Sequence, residues 1–571
     1  MTARASERGP AAAGALRAFA QRLRVRVTSG TVEIAALAGV VAAAMILALA
    51  WTHLVPIFEA PDEPVHFDYA MSLAHAGRLI SATEGPQPHG IADPVVRYLA
   101  AEVEVDRIAF HSLQRVTPDY GTPRYFRDVD AHAPRAGREY FERPGHMVPD
   151  MVASYPFGFY AFEAVVIKAA SGLGLSGQFF AARAACTVLL GLALVFSYLT
   201  LRELRFPVDR ALLITAVIGL LPLATFVGSY VQPDNLAFAL VCAVFWAALR
   251  FKREPAGRRW PVVLGILLGL LSVTKTHVFA AVFVPVAGLC ATNALRVPRA
   301  QRRWPTLATW LVAPAVALLA VQYCYVHPFW AHVTSLTFAT MRNDALAHAY
   351  AARGLAGVAP MIWWESGAAL NDFFGSGGLT ALSFWGDFGW LDTPMVVVDP
   401  QVEGWVRAIV HVVTVCCVVA VALVVAGFLR DVFSIAVRGR PASAARLLFA
   451  DPLTASYLLF GATLFVFYVL TANGFGAQGR DWIAFLLPIT VVAVDVAPRA
   501  LSRLRLRAGA SVLVTCLLVG YVVVGTRYAF ADVYHRYYAS DGASPALGRV
   551  VTQDRAFYER LPATRTVAIA P

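Results

Sequence analysis

Glu59-Ala60-Pro61-Asp62-Glu63-Pro64-Val65-His66-Phe67 follows closely on an apolar run from Thr31 to Trp51. The run is about twenty residues long, enough to cross a bilayer as one helix. The nine residues after it place two adjacent carboxylates and a histidine, pinned by two prolines, where the chain leaves the membrane. Acidic groups at that boundary are costly to desolvate and usually carry function. A span followed by a charged, proline-bracketed loop therefore sets both the class of fold and the place to look for chemistry.

Composition extends this reading to the whole chain. Of 571 residues, 58% are hydrophobic and 15% charged, and the mean hydropathy is +0.59. A soluble domain carries about 25% charge, so the chain reads as an all-α polytopic membrane protein. The net charge of +11 is almost all arginine, the lysines being Lys168, Lys252 and Lys275. With the alanine richness, this fits a GC-rich bacterial genome. The basic residues are spread over short loops between apolar runs, which argues for the positive-inside rule and against nucleic acid. All seven cysteines fall inside apolar runs, so neither a disulfide framework nor a thiolate metal site is expected. Arginines 4, 8, 17, 22, 24 and 26 precede the first run, whose end at Ala48-Leu49-Ala50 imitates a signal-peptide cleavage site. An uncleaved helix is expected, because the run is long enough to span.

Apolar runs lie near 32–52, 178–201, 211–230, 234–251, 261–276, 278–296, 305–326, 403–428, 453–472, 482–498 and 509–530. Basic clusters follow alternate runs: Arg202/Arg205/Arg210, Lys252/Arg253/Arg258/Arg259, Arg296/Arg299/Arg302/Arg303, Arg430/Arg438/Arg440/Arg446 and Arg499/Arg503/Arg505/Arg507. About eleven spans (roughly 11 to 13) with the N-terminus inside put every cluster in the cytoplasm and the C-terminus outside. Residues 153–172 are also apolar but contain Glu163 and Lys168. They read as a helix lying at the outer surface, the alternative being a true span compensated near 355–374. The expected organisation is a basic cytoplasmic tail (1–30), a membrane-embedded domain (31–530) and a short outer tail (531–571). The domain holds two extracytoplasmic loops, 53–177 and 327–402. Trp363, Trp364, Trp385 and Trp390 in the second loop suit an interfacial belt or a carbohydrate platform. The expected location is the bacterial cytoplasmic membrane.

If residues 61–66 form a site, other polar breaks should share its membrane face. Gln232-Pro233-Asp234, Lys275-Thr276-His277, Trp385-Gly386-Asp387 and Gln478-Gly479-Arg480 all fall on the outer side in this topology. Each has a plainer reading. Asp62 can cap a helix beginning near Glu63-Pro64, Asp234 can end a turn, and Lys275 and Arg480 can be snorkelling cations rather than phosphate ligands. His66 and His277 can join the carboxylates around a divalent metal, with Asp62, Glu63 and His66 as the candidate ligands, although no tight ligand spacing supports it. Whether any cofactor is used is not legible.

Pro61-Asp62-Glu63-Pro64-x-His66-Phe67, followed by a helix to Arg78, resembles the first-loop signature of bacterial membrane glycosyltransferases of the GT-C fold. Ser154-Tyr155-Pro156-Phe157-Gly158-Phe159-Tyr160 resembles their Pro-Pro-Leu-type juxtamembrane segment, with Phe157 in place of the second proline and Ser154 in place of a lysine. Over roughly residues 30 to 530 the chain is similar to the bacterial membrane-protein family called domain of unknown function 2142. That similarity includes Ser383-Phe384-Trp385-Gly386-x-Phe388-Gly389-Trp390 and the segment from Gln478-Gly479-Arg480 to Pro488. The resemblance implies a GT-C-like fold and an inverting transferase. Such an enzyme moves a sugar from a polyprenyl-phosphate donor to an envelope glycan, lipid or protein acceptor outside the membrane. It implies Asp62, with Glu63 beside it, as the catalytic residues, acting as base or metal ligand. His66, Tyr155, Gln232, Asp234, Lys275, His277, Trp385, Asp387, Gln478 and Arg480 are the expected substrate-binding residues. A lipid-glycan transporter and a non-catalytic assembly scaffold are the competing readings. A transporter should carry charge at the bilayer midplane and often inverted repeats; a scaffold should tolerate loss of Asp62 and Glu63.

Overall fold

The structure is a computed structural model. It describes residues 30–76, 94–103, 108, 114–140, 156–254, 259–296, 352–353, 356, 379–389, 393–394, 463, 479–496 and 507–539. Four helices there are long and apolar enough to cross a bilayer. They lie within α1 (Gly30–Leu54), α6 (Gly174–Glu203), α9 (Asp234–Arg253) and α14 (Arg507–Tyr537). The expected spans near 305–326, 403–428 and 453–472 lie outside the described residues, apart from residue 463.

α9 is the innermost of the four, with 83% of its apolar stretch buried against 17% for α1. α6 packs on both α9 and α1, so the first three long helices form one layer of contacts around α6. Between α1 and α6 lie α2 (Glu63–Ala76), α3 (Pro94–Glu102), α4 (Pro123–Tyr140) and α5 (Gly158–Ala169). α5 has 12 residues, about 18 Å of helix, against roughly 30 Å of hydrocarbon. It is too short to cross as a single helix. α2 packs along it, and α5 packs in turn on α6. The turn into α6 passes through Gly174 at φ +74, where a Cβ would come closer than 3.0 Å to Asp130 of α4. Asp130 Oδ1 accepts from the Ser176 backbone N–H at 2.8 Å and from its hydroxyl at 3.0 Å, so α4 caps the start of α6.

Two apolar runs differ from single spans. Run 211–230 is broken into α7 (Val208–Leu220) and α8 (Pro222–Val227). Leu221 is extended at φ −56, ψ 134, as the residue before Pro222 must be. Run 482–498 starts in a 3₁₀ turn, Gly479–Phe485, continues in α13 (Leu486–Val491) and ends in a π-type turn, Val492–Val496. Runs 261–276 and 278–296 become α10 (Arg259–Ser272) and α11 (Thr276–Arg296). Within the expected second loop, α12 (Leu379–Gly386) leads into a two-residue strand, Asp387–Phe388, antiparallel to Thr393–Pro394.

Trp51, fully buried at the end of α1, ties these parts together. Its Nε1 donates to Thr225 of α8 at 3.1 Å, and its ring meets Phe226, Phe388 and Phe530 with centroids 4.2–5.6 Å apart. One apolar anchor thus fixes the end of α1 against α8, the second loop and α14, just before the chain turns into the acidic loop.

Candidate functional site

The loop from Val55 to Asp62 is held by an arginine inside α6. Arg183 is fully buried and all five of its N–H donors are used. Nε donates to Glu63 Oε1 at 2.8 Å and Nη2 to Glu63 Oε2 at 2.6 Å. Nη1 donates to the carbonyls of Thr52 and Val55 at 2.8 and 2.7 Å, and Nη2 to that of Pro56 at 2.9 Å. Glu63 Oε1 also accepts from the Val231 backbone N–H at 3.1 Å. Glu63 is thereby enclosed on all sides, with no exposed surface on its side chain.

Its neighbour Asp62 faces the other way. Asp62 has φ 58, the left-handed region, which a non-glycine residue adopts only under constraint. Its carbonyl accepts from the His66 N–H at 3.1 Å, so it stands at the start of α2 as expected. Its carboxylate, however, turns away to Arg480. Arg480 Nη2 donates to Asp62 Oδ2, and Nη1 donates to the Pro61 carbonyl at 2.9 Å. The Asp62 side chain is 35% exposed. Enclosure pushes its pKa up, but Arg480 and His66 outweigh this and hold it below the ordinary carboxylate value. His66 is buried and shares a hydrogen bond of 2.9 Å with the Tyr160 hydroxyl of α5. Burial pushes it down to about 3, with Asp62 opposing and Arg480 and Lys275 adding to the fall. At neutral pH the site therefore holds an ionised Asp62 and a neutral imidazole.

The remaining charges complete one cluster. Lys275, in the turn between α10 and α11, donates to Asp234 at the first residue of α9 and to Asp481 at 3.0 Å. Asp481 stays ionised because Lys275 and Arg480 outweigh its burial. The Tyr230 hydroxyl lies against Arg480. Asp62, His66, Asp234, Lys275 and Arg480 are thus brought together from four separate polar breaks. Gln232 is buried in the turn that leads to Asp234. His277 sits exposed in the first turn of α11. Trp385 is half-buried edge-on to Tyr521 of α14, centroids 5.0 Å apart, and its carbonyl accepts from the Tyr521 hydroxyl. Asp387 lies in the short strand pair beside it. Tyr155 and Gln478 lie outside the described residues.

Among the described residues the donor set does not fit a metal. Both oxygens of Glu63 are taken by Arg183 and Val231, and among the described residues no group of three or more His, Cys, Asp or Glu is placed to hold an ion. Sequence reasoning singled out neither Arg183 nor Asp481. Arg183 carried a usable signal: it is a charged residue inside an apolar run, where charge is expensive and needs a partner. Asp481 carried none beyond its place next to Arg480.

No curated protein matches the chain. Among solved structures it is similar to ArnT from Cupriavidus metallidurans bound to undecaprenyl phosphate, at 11% identity and a TM-score of 0.37, over 90% of this chain and 77% of that one. It is also similar to the Archaeoglobus fulgidus oligosaccharyltransferase tethered to an acceptor peptide, at 13% identity and a TM-score of 0.35, over 92% of this chain and 57% of that one. A family model described as "Predicted membrane protein (DUF2142)" matches residues 45–493, most of the chain and every charged group of the cluster. The chain belongs to that family of membrane proteins.

Proposed function

We propose that the protein is an inverting glycosyltransferase that moves a sugar from a polyprenyl-phosphate donor to an acceptor hydroxyl at the outer face of the membrane. The observation that carries this is the pairing of a partly exposed Asp62 with Arg480, beside Lys275, in a loop held rigidly from behind by Arg183. An acceptor oxygen attacks the anomeric carbon as the bond from that carbon to the phosphate oxygen breaks. The acceptor proton passes to Asp62, and general-base help of this kind is worth about 10²–10⁴ in rate. The departing polyprenyl phosphate gains negative charge, which Arg480 meets as a two-pronged donor and Lys275 as a compact cation. Glu63 has no free oxygen with which to act as base and is assigned a holding role. The polar breaks at the starts of α2, α9 and α11 belong at the outer face in the positive-inside topology.

Purified protein incubated with a panel of polyprenyl-phosphate sugars and an envelope extract as the source of acceptor hydroxyls should release polyprenyl phosphate, and Asp62→Asn should fold and lose most of that release. Failure of the parent protein with the whole panel would sink the transferase reading. Wild-type turnover by Asp62→Asn would remove Asp62 as the base.

A further inference from the structure

Both cations that would meet a leaving phosphate are already engaged. Arg480 holds Asp62, and Lys275 holds Asp234 and Asp481. Three carboxylates share two cations, so each cation is already committed to at least one carboxylate. An anionic phosphate cannot simply add to the cluster; it must take a cation from a carboxylate. The three carboxylates are not held alike. The Asp234 side chain is 5% exposed and that of Asp481 25%, while that of Asp62 is 35% exposed and sits on a backbone at φ 58. Arg480 is tethered independently of Asp62 through the Pro61 carbonyl at 2.9 Å. Its Nη2 can therefore change partners while the guanidinium stays in place.

We propose that the Arg480–Asp62 pair is a latch opened by the phosphate of the donor: the phosphate takes over Nη2 of Arg480, and Asp62, released, turns to the acceptor hydroxyl. The idea rests on the transferase reading and adds an order of events, donor before acceptor. The physical gain is specific. While paired, Asp62 is a weak base, because Arg480 stabilises its ionised form. Once the phosphate neutralises that cation, the carboxylate binds a proton more readily, at the moment the acceptor must lose one.

Binding alone tests this, without turnover. The probe is a polyprenyl monophosphate lacking a sugar, in detergent, with the polyprenyl alcohol of equal length as the control for the chain. Asp62→Asn removes the competing charge at nearly constant shape, so it should bind the phosphate at least about tenfold more tightly than the parent, with no change for the alcohol. Arg480→Ala should lose the difference between phosphate and alcohol. In the parent protein, adding the phosphate should speed backbone hydrogen exchange in a peptide covering 56–66, because the loop gives up the Asp62 contact with Arg480 and keeps only that of the Pro61 carbonyl. Equal or weaker phosphate binding by Asp62→Asn, or unchanged exchange at 56–66 on saturation, would overturn the latch while leaving the transferase reading intact. No preference for phosphate over alcohol in either the parent or Asp62→Asn would defeat both.

Discussion

Two adjacent acids, Asp62 and Glu63, have opposite fates because one side chain points into the α6 contact and the other out of it. Glu63 and Arg183 form a fully buried pair, and breaking such a pair by removing one charge costs about 3–5 kcal/mol, since the other stays buried and unpaired. Glu63→Gln should therefore lower the unfolding temperature sharply in detergent. Retained thermal stability combined with lost sugar transfer would instead make Glu63 a participant in the chemistry. His66 gives a second residue-scale expectation. Its folded pKa is lowered from 6.5 to about 3 by burial first. The unfolded chain then binds a proton that the folded chain refuses over that window. Stability is fully present above the unfolded value and falls as pH drops from 6.5 toward 3, by up to about 1.4 kcal/mol per pH unit. Thermal scans between pH 7 and pH 4 should show this slope, and His66→Gln should flatten it; an unchanged slope would mean that other groups carry it.

At the scale of elements, the site depends on a meeting of two loops distant in sequence. The Gly479 N–H donates to Ser383 Oγ at 2.7 Å, and a Cβ at Gly479 would fall closer than 3.0 Å to the Phe384 backbone. Glycine is needed there because backbone meets backbone, and the next residue is Arg480. Gly479→Ala must push the 3₁₀ turn and α12 apart, which draws Arg480 away from Pro61 and Asp62. Transfer should fall by at least about tenfold, the scale expected when a reacting group is displaced by an ångström, and Ser383→Ala should fall less, since it loses one hydrogen bond and no space. If Gly479→Ala turns over like the parent, the contact does not position Arg480. The same loop is clasped from the far side by Tyr521 of α14 and by Trp51 against Phe388.

At the scale of the whole molecule, the membrane face that carries the cluster follows from the distribution of charge. Positive-inside counting puts it outside. Cysteine in place of Arg124, whose side chain is 85% exposed on α4, and cysteine at position 550 should react with an impermeant reagent on intact cells. Cysteine at position 256, between α9 and α10, should react only after permeabilisation. Labelling at 256 from outside would invert the topology and move the cluster to the cytoplasm.

Hydropathy and charge are properties of neighbouring residues, so the sequence by itself determined what depends on neighbours. It gave the long helices around 32–52, 178–201 and 234–251, the start of α2 after Asp62 and the polar breaks at Asp234, Lys275 and Arg480. Where a local rule was available but unused, as with Pro222 splitting run 211–230, the miss was one of reading. What only the tertiary structure decided is pairing. Asp62 and Arg480 are 418 residues apart and Lys275 and Asp481 are 206 apart, and no periodicity links them. Their partners are chosen by which helix ends the packing of α1, α6 and α9 brings together. Glu63 likewise became a holding acid only because Arg183, 120 residues away, is fully buried and must satisfy every donor within the protein, on Glu63 and on the carbonyls of Thr52, Val55 and Pro56.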